Sequence, residues 1–359
     1  MLLFVGTGID GVRGLSLAAI DELDRCDVVY AERFTSSLSE RDIDELAKII
    51  KKPVSVVSRW YIEDGREILE NAASRSVALV TYGDPLIATT HAELRTRAVK
   101  KSIKTKVMHS ASGIFAAIGE IGLQFYKFGR AATIMSDFQS ARSVYNAIYE
   151  NLLNGNHSLV LTEFRGDGQG DPFFLDPPSA IRSLVEIEND RRLGIILPET
   201  FGIVASRVGT ASQAILSGAL SSLQTRDCGQ GPHSIIIPGA LHFVEQESIE
   251  ACTELLDPVT DNSQRLKTMS AVMLEKYAPR ARDALKQLKD LLLKESSEKR
   301  PEWKEIFDVL DNAEYYILDG ERFMRQRQPE LAVLSIGYSE GLIDALRFLK
   351  GMNPWESRT

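Results

Sequence analysis

Three stretches of the chain carry residue types that could do chemistry, two where an apolar run ends and one where such a run begins. The first is Phe4-Val5-Gly6-Thr7-Gly8-Ile9, in which the glycines let the backbone turn tightly and approach a ligand without a Cβ in the way. The next glycine is Gly11, which is not where a dinucleotide fingerprint needs its third, so taken alone the stretch equals a plain strand-to-helix turn. The second is Thr81-Tyr82-Gly83-Asp84-Pro85-Leu86-Ile87-Ala88-Thr89-Thr90-His91. Asp84 there either faces a ligand at the edge of a sheet or caps the following helix. His91 reads as a hydrogen-bonded residue of that helix's first turn. The third is Gly231-Pro232-His233-Ser234-Ile235-Ile236-Ile237-Pro238-Gly239, where His233 stands at the edge of a buried strand. A lone histidine in that place is more often structural than functional.

Other chemistries lack their residues. Cys26, Cys228 and Cys252 are far apart and odd in number, which points to free thiols in a reducing compartment. No HxxxH pair or Cys/His cluster supports a metal. No GxSxG elbow or GxxxxGK[ST] loop is present. The acidic spacing of Gly166-Asp167-Gly168-Gln169-Gly170-Asp171 differs from that of a calcium loop.

The elements that must position these stretches follow from periodicity. Strands are expected at Leu2–Val5, Val28–Tyr30, Val54–Val57, Val77–Val80 and Thr105–His109. Helices are expected near Leu15–Leu23, Glu40–Ile50, Ile68–Ala73 and His91–Lys101, the first capped by Ser16 or Gly14. That alternation implies a mainly parallel sheet covered on both faces, so the three stretches lie near strand ends, where open α/β sheets hold ligands. After a helix over Gly113–Ile121, strands are expected at Ala132–Met135, Ser158–Glu163, Gly202–Ser206 and Ser234–Ile237. Helices are expected at Ala141–Leu153, Ser179–Arg191 and Thr210–Ser217, giving a second α/β domain with a mixed sheet. Asp167–Pro178 reads as a loop. From Asp257-Pro258 onward only helical spacing recurs, as in Leu285, Leu288, Leu291 and Leu292, or Leu331, Leu334, Tyr338, Leu342, Ala345 and Leu349. A bundle of three or four helices is expected there, with a polar break at Lys294–Pro301. The fold class is therefore α/β: domains at residues 1–111 and 112–257, then a helical domain at 258–359. Glu340 and Asp344 are expected on a solvated helix face. Trp303, Tyr315, Tyr316 and Trp355 either pack that bundle or offer it a docking surface.

The 359 residues suffice for two to three domains with real cores. The formal net charge is −8, and the acidic excess lies wholly before residue 259. It gives no support for direct binding to nucleic acid. The opening run Leu2–Val5 lacks a basic flank and is far too short to cross a bilayer, so a soluble, cytoplasmic protein is expected.

In order along the chain, the Gly-Thr-Gly start, Gly83-Asp84-Pro85-Leu86-Ile87-Ala88-Thr89-Thr90-His91-Ala92-Glu93-Leu94, Gly122-Leu123-Gln124, Tyr126-Lys127-Phe128-Gly129, and Pro232-His233 with Pro238-Gly239-Ala240-Leu241-His242 resemble the diphthine synthases. These belong to the class III, tetrapyrrole-type methyltransferases, which share the Gly-Asp-Pro element. The resemblance spans residues 1 to about 256. It implies two α/β domains with S-adenosylmethionine held in the cleft between them, in a homodimer. The family's donor-binding positions map onto Ile9, Asp84, Ile87, Ser112 with Gly113, Thr162, Val208 and His233. His109–Phe115 is one residue longer than is usual in the family, which leaves Gly113 and Ile114 as alternatives for one contact. Tyr82 replaces the family's usual proline. The tail, through Leu331–Leu346, resembles a small archaeal helical family of unknown function, which implies an archaeal source.

The implied activity is methylation of the amino group of the modified histidine in translation elongation factor 2, several times in succession. No residue stands out as a required base. Two alternatives stay open. One is a tetrapyrrole C-methyltransferase of the same fold. The other is an inactive binding module that docks a partner through its helical tail.

Overall fold

The computed structural model describes residues 1–35, 38–166, 172–262, 266–295, 302–326 and 328–352. Most of the acidic glycine run 166–171, most of the polar break 294–301, and Trp355 fall outside these residues. The chain divides into two compact units, Met1–Arg265 and Leu266–Thr359.

The first unit begins with β1 (Leu2–Gly6), α1 (Leu17–Asp24), β2 (Val28–Glu32), α2 (Glu40–Ile50), β3 (Val54–Val57), α3 (Arg59–Asp64), α4 (Arg66–Ser74), β4 (Val77–Thr81), α5 (His91–Lys100) and β5 (Thr105–Met108). The five strands form one all-parallel sheet in the order β3-β2-β4-β1-β5. Each residue of the central strands β1 and β4 is buried. Alternation sends Leu3, Val5, Ala78 and Val80 into one core, and Leu2, Phe4, Val77 and Leu79 into the other. Both faces are thus covered, and each large aliphatic there contributes about 2 kcal/mol. Helix ends are set locally. Ser16 accepts from the Ala19 amide at the start of α1, and Ser39 and Asp42 form a capping box on α2. The short helix α3, with Ser58 as its cap, was not expected from periodicity.

The second half comprises α6 (Gly113–Ile121), β6 (Ala132–Ile134), α7 (Phe138–Leu153), β7 (Ser158–Thr162), β8 (Phe164–Arg165), β9 (Phe173–Phe174), α8 (Pro177–Arg191), β10 (Phe201–Ser206), β11 (Ala214–Ala219), α9 (Leu220–Leu223), β12 (His233–Ile237), α10 (Phe243–Cys252) and β13 (Glu254–Leu255). Six of these strands form a mixed sheet, β13-β11-β10-β12-β7-β6, and β8 pairs with β9 as a separate hairpin. The helix expected over Thr210–Ser217 is wrong. Ala214–Ala219 is a strand paired antiparallel with β10, from Ser206↔Ala214 to Phe201↔Ala219. A short apolar run cannot distinguish helix from strand by period, and pairing with a fully buried neighbour decides it. The buried Asn262 side chain bonds Phe201 on both sides and the Pro238 carbonyl, which anchors the end of this unit.

The second unit has three helices among the described residues: α11 (Met269–Glu295), α12 (Glu302–Arg325) and α13 (Pro329–Leu349). Leu285, Leu288, Leu292, Leu310, Ile317, Ile336, Ile343 and Leu346 form their core. The apolar face expected for α13 is misplaced. Leu331, Leu334, Tyr338 and Leu349 are exposed, while Ala332, Ile336, Ile343 and Leu346 are buried. A helix apolar nearly all round gives no unique stripe. Glu340 and Asp344 are half-buried, not fully solvated. Tyr315 and Tyr316 are exposed and do not fill the core, and Tyr316 stacks on Tyr338 at 5.5 Å.

Candidate active site

Strand order places the carboxyl ends of β1, β4 and β5 side by side. Gly8 and Gly83, just past β1 and β4, exchange backbone hydrogen bonds at 3.2 and 2.9 Å. Both have positive φ, 76° and 71°, which glycine adopts without strain. Beside this pair the Tyr82 hydroxyl donates to the Ile9 carbonyl. Burial, with Asp10 and Asp42 nearby, pushes that phenol up to about 12, so it remains a donor. This phenol ties the two glycine turns together.

Asp84 is nearly buried and does not cap α5, whose N-cap is Thr90. Its Oδ1 accepts from the Leu86 amide at 2.9 Å. Its Oδ2 accepts from the Ser110 amide at 3.2 Å and meets His109 Nδ1 at 2.8 Å. The carboxylate is therefore locked between the turns that follow β4 and β5. His91 is fully buried, with Nδ1 at 3.0 Å from the Pro85 carbonyl, as expected of a residue in the first helical turn. Burial lowers its pKa, so the ring is neutral.

The mixed sheet supplies the opposing wall. Thr162 ends β7 and donates through Oγ1 to the His233 carbonyl at 3.1 Å. His233 begins β12, is 5% exposed, and its Nδ1 lies 2.8 Å from Ser206 Oγ. Burial first, and the nearby Arg207 guanidinium second, bring its pKa down to about 4. It is a neutral imidazole at physiological pH. Ser112 sits at the N-cap of α6 without a side-chain cap bond.

These walls enclose a cavity of about 520 Å³, within the usual range for small-molecule sites. Asp84, Ile87, Ser112, Gly113, Thr162, Val208 and His233 all line it, and so does Ile114, the alternative to Gly113. Ile9 is not part of the lining. Its side chain packs against Gly113 and Gly209, so closely at Gly209 that a Cβ there would lie 2.2 Å from Ile9 Cδ1. Ile9 thus supports the wall from behind. The lining also includes residues that sequence reasoning did not single out: Phe34, Thr35, Arg59, Thr133 and Phe164. The only signal for the first two was the buried acidic residue ahead of them. Glu32 is 1% exposed, and its Oε2 accepts from the Phe34 and Thr35 amides, both at 2.9 Å.

Outside the cavity, the stretches Gly122–Gln124, Tyr126–Gly129 and Pro238–His242 converge on one buried carboxylate. Glu245 is fully buried. It accepts from the Gln124 amide, the His242 amide, His157 Nε2 and Lys127 Nζ. Lys127 also donates to the Ala240 carbonyl at 2.6 Å. Gly239 donates its amide to His157 Nδ1, which leaves the proton of His157 on Nε2.

Comparison with known proteins matches this architecture. Residues 1–224 match the family described as Tetrapyrrole (Corrin/Porphyrin) Methylases. Residues 276–352 match Protein of unknown function (DUF357). A diphthine synthase of Methanothermobacter thermautotrophicus is 35% identical over 69% of this chain and 93% of its own length. One from Methanocaldococcus jannaschii is 32% identical over 71% of this chain and 99% of its own length. A crystal structure of diphthine synthase superposes with a TM-score of 0.62 at 27% identity, covering 71% of this chain and 96% of that one. The chain belongs to the tetrapyrrole methylase family, in its diphthine synthase branch, and is an S-adenosylmethionine-dependent methyltransferase.

Proposed function

We propose that the protein methylates the amino group of the modified histidine in translation elongation factor 2, a step of diphthamide biosynthesis, with the donor held by Asp84, Ile87, Ser112, Gly113, Thr162, Val208 and His233. The observation that carries this reading is the convergence of these residues, from both sheets, on one cavity. Their chemistry suits the donor. A fixed carboxylate and a neutral imidazole favour a cationic ligand, whereas an imidazolium would repel it. Bound donor supplies a methyl on a cationic sulfur, which leaves as a neutral thioether without help from an acid. The chain's tasks are then to orient, to exclude water and to hold the acceptor amine unprotonated. Ser112, Gly113, Ile114, Ala205 and Val208 shape the pocket, and the Gly83 turn brings the backbone to it. A homodimer, a cytoplasmic setting and an archaeal source complete the proposal, with no role for nucleic acid.

A tetrapyrrole acceptor fits less well. Such substrates carry several carboxylates, whereas among the described residues Arg59 is the single lysine or arginine in the cavity wall. The test is transfer of label from methyl-labelled donor to elongation factor 2 bearing the amino-modified histidine, beside a precorrin-type tetrapyrrole. Label in the factor alone is expected. Label in the tetrapyrrole alone defeats the proposal, and label in neither would favour a docking role for the chain. Sedimentation of the purified protein checks the dimer.

The turn geometry makes a smaller prediction. Tyr82→Phe removes the bond to the Ile9 carbonyl, which is worth about 1 kcal/mol net. The dissociation constant for S-adenosylhomocysteine is expected to rise about threefold to tenfold by calorimetry. No change would show that the glycine pair alone holds the turns.

A further inference from the structure

We propose that Arg59 reads a carboxylate on the methyl acceptor, next to the amine that is methylated; this rests on the amine-methylating function proposed above. The cavity wall contains a second group of residues, distinct from the donor-binding set and held together by contacts of its own. Arg59 opens α3, where Ser58 caps the helix through the Tyr61 amide. Its guanidinium lies 5.7 Å from the centre of the Phe34 ring. Phe34 in turn meets His91 edge-on at 6.4 Å, beside the cavity residues Thr89 and Thr90. Buried Glu32 clamps this segment by accepting the Phe34 and Thr35 amides and the Thr81 hydroxyl. From the other half comes Phe164, whose ring packs on Phe174 at 4.8 Å. The adjoining Gly166 lies so close to the Arg33 carbonyl that a Cβ would sit 2.8 Å from it. The two halves of the unit therefore meet here, with Phe34, Phe164, Arg59, Thr35, Thr89 and Thr90 all lining the cavity.

That combination suits an acceptor with a flat ring and a carboxylate. A guanidinium offers a planar fork of donors that a carboxylate accepts two at a time. The present partner of Arg59 is Glu63, one turn further along α3 at 3.0 Å. Both side chains are largely exposed, and such pairs contribute little, so an incoming carboxylate displaces Glu63 readily. The cation has a second effect. A positive charge beside an amine disfavours its ammonium form, and methyl transfer needs the neutral amine. The nitrogen lone pair forms the new N–C bond while the C–S bond breaks and its electron pair stays on sulfur. The resulting ammonium then releases a proton to water.

The test compares wild type with Arg59→Ala and Arg59→Lys, using elongation factor 2 bearing the amino-modified histidine as acceptor. Arg59→Ala is expected to raise KM for the factor about tenfold to a hundredfold. Its dissociation constant for S-adenosylhomocysteine should stay within twofold, which also shows that the variant is folded. Its rate profile should shift to higher pH, because the acceptor amine is no longer disfavoured as ammonium. Arg59→Lys should recover part of the loss. An unchanged KM overturns the proposal, and so does a loss of S-adenosylhomocysteine affinity as large as the loss in KM, which would assign the arginine to the donor's carboxylate. If wild type transfers no label to the factor, the functional reading falls and this inference with it. Label from wild type with an unchanged KM in Arg59→Ala defeats the inference alone.

Discussion

Asp84→Ala is expected to weaken S-adenosylmethionine binding by at least tenfold, with a smaller loss for S-adenosylhomocysteine. The carboxylate is 6% exposed and accepts the Leu86 and Ser110 amides in the cavity wall. Hydrogen bonds to a charged group are worth about 1.5–3 kcal/mol, and each 1.4 kcal/mol is a factor of ten in affinity. Truncation leaves both amides without their acceptor and lets the turns after β4 and β5 move apart. It also removes a negative charge from a pocket proposed to hold a sulfonium. The two effects separate by chemistry. Asp84→Asn keeps a side-chain oxygen to accept one amide but loses the charge, so it should reduce affinity for the cationic donor more than for its neutral product. Calorimetry on both ligands decides the matter, and unchanged affinity in Asp84→Ala would remove this residue from the site.

The parallel sheet was legible because its strands are bounded by helices with clear caps and an even period, such as Ser39–Ile50. The candidate site was legible in part. Asp84 and His233 stand in stretches of unusual composition, and the resemblance placed six further positions, of which five line the cavity. Ile9 was expected at the donor only because a donor-binding position of the family maps onto it. Only the packing against Gly209 shows that it stands behind the wall. Phe34, Arg59 and Phe164 were invisible for a different reason. They come from three separate places, the loop after β2, the start of α3 after β3, and β8, whose local sequence says nothing of what they meet. The strand over Ala214–Ala219 and the face of α13 were misread because apolar composition without a sharp period leaves pairing and packing partners to decide.

Two of the stretches that carried the resemblance, Tyr126–Gly129 and Pro238–His242, acquire a physical reason only in three dimensions, and it yields the largest stability effect expected here. Glu245 gathers the Gln124 and His242 amides, His157 and Lys127 around a carboxylate with no exposure to solvent. These bonds outweigh the burial penalty and hold its pKa down to about 2 from an ordinary 4.5. A depressed carboxylate stabilises the fold at pH above its unfolded value and loses that contribution as pH falls through the folded one. The stabilisation is therefore complete above about pH 4.5 and fades toward pH 2, and a shift of this size corresponds to about 3 kcal/mol. His157, held neutral by burial, adds to acid sensitivity in the same direction. Glu245→Ala strands the Lys127 ammonium and two amides, and removing one partner of a buried pair typically costs about 3–5 kcal/mol. For a unit of this size that lowers Tm by roughly 10 °C at pH 7. Glu245→Gln preserves the shape and some acceptors, so it should fall between the two, with a flatter stability profile between pH 4.5 and 2 than wild type. Thermal unfolding across that range measures both. A Glu245→Ala protein as stable as wild type at pH 7 would show that the network is not what holds these stretches together.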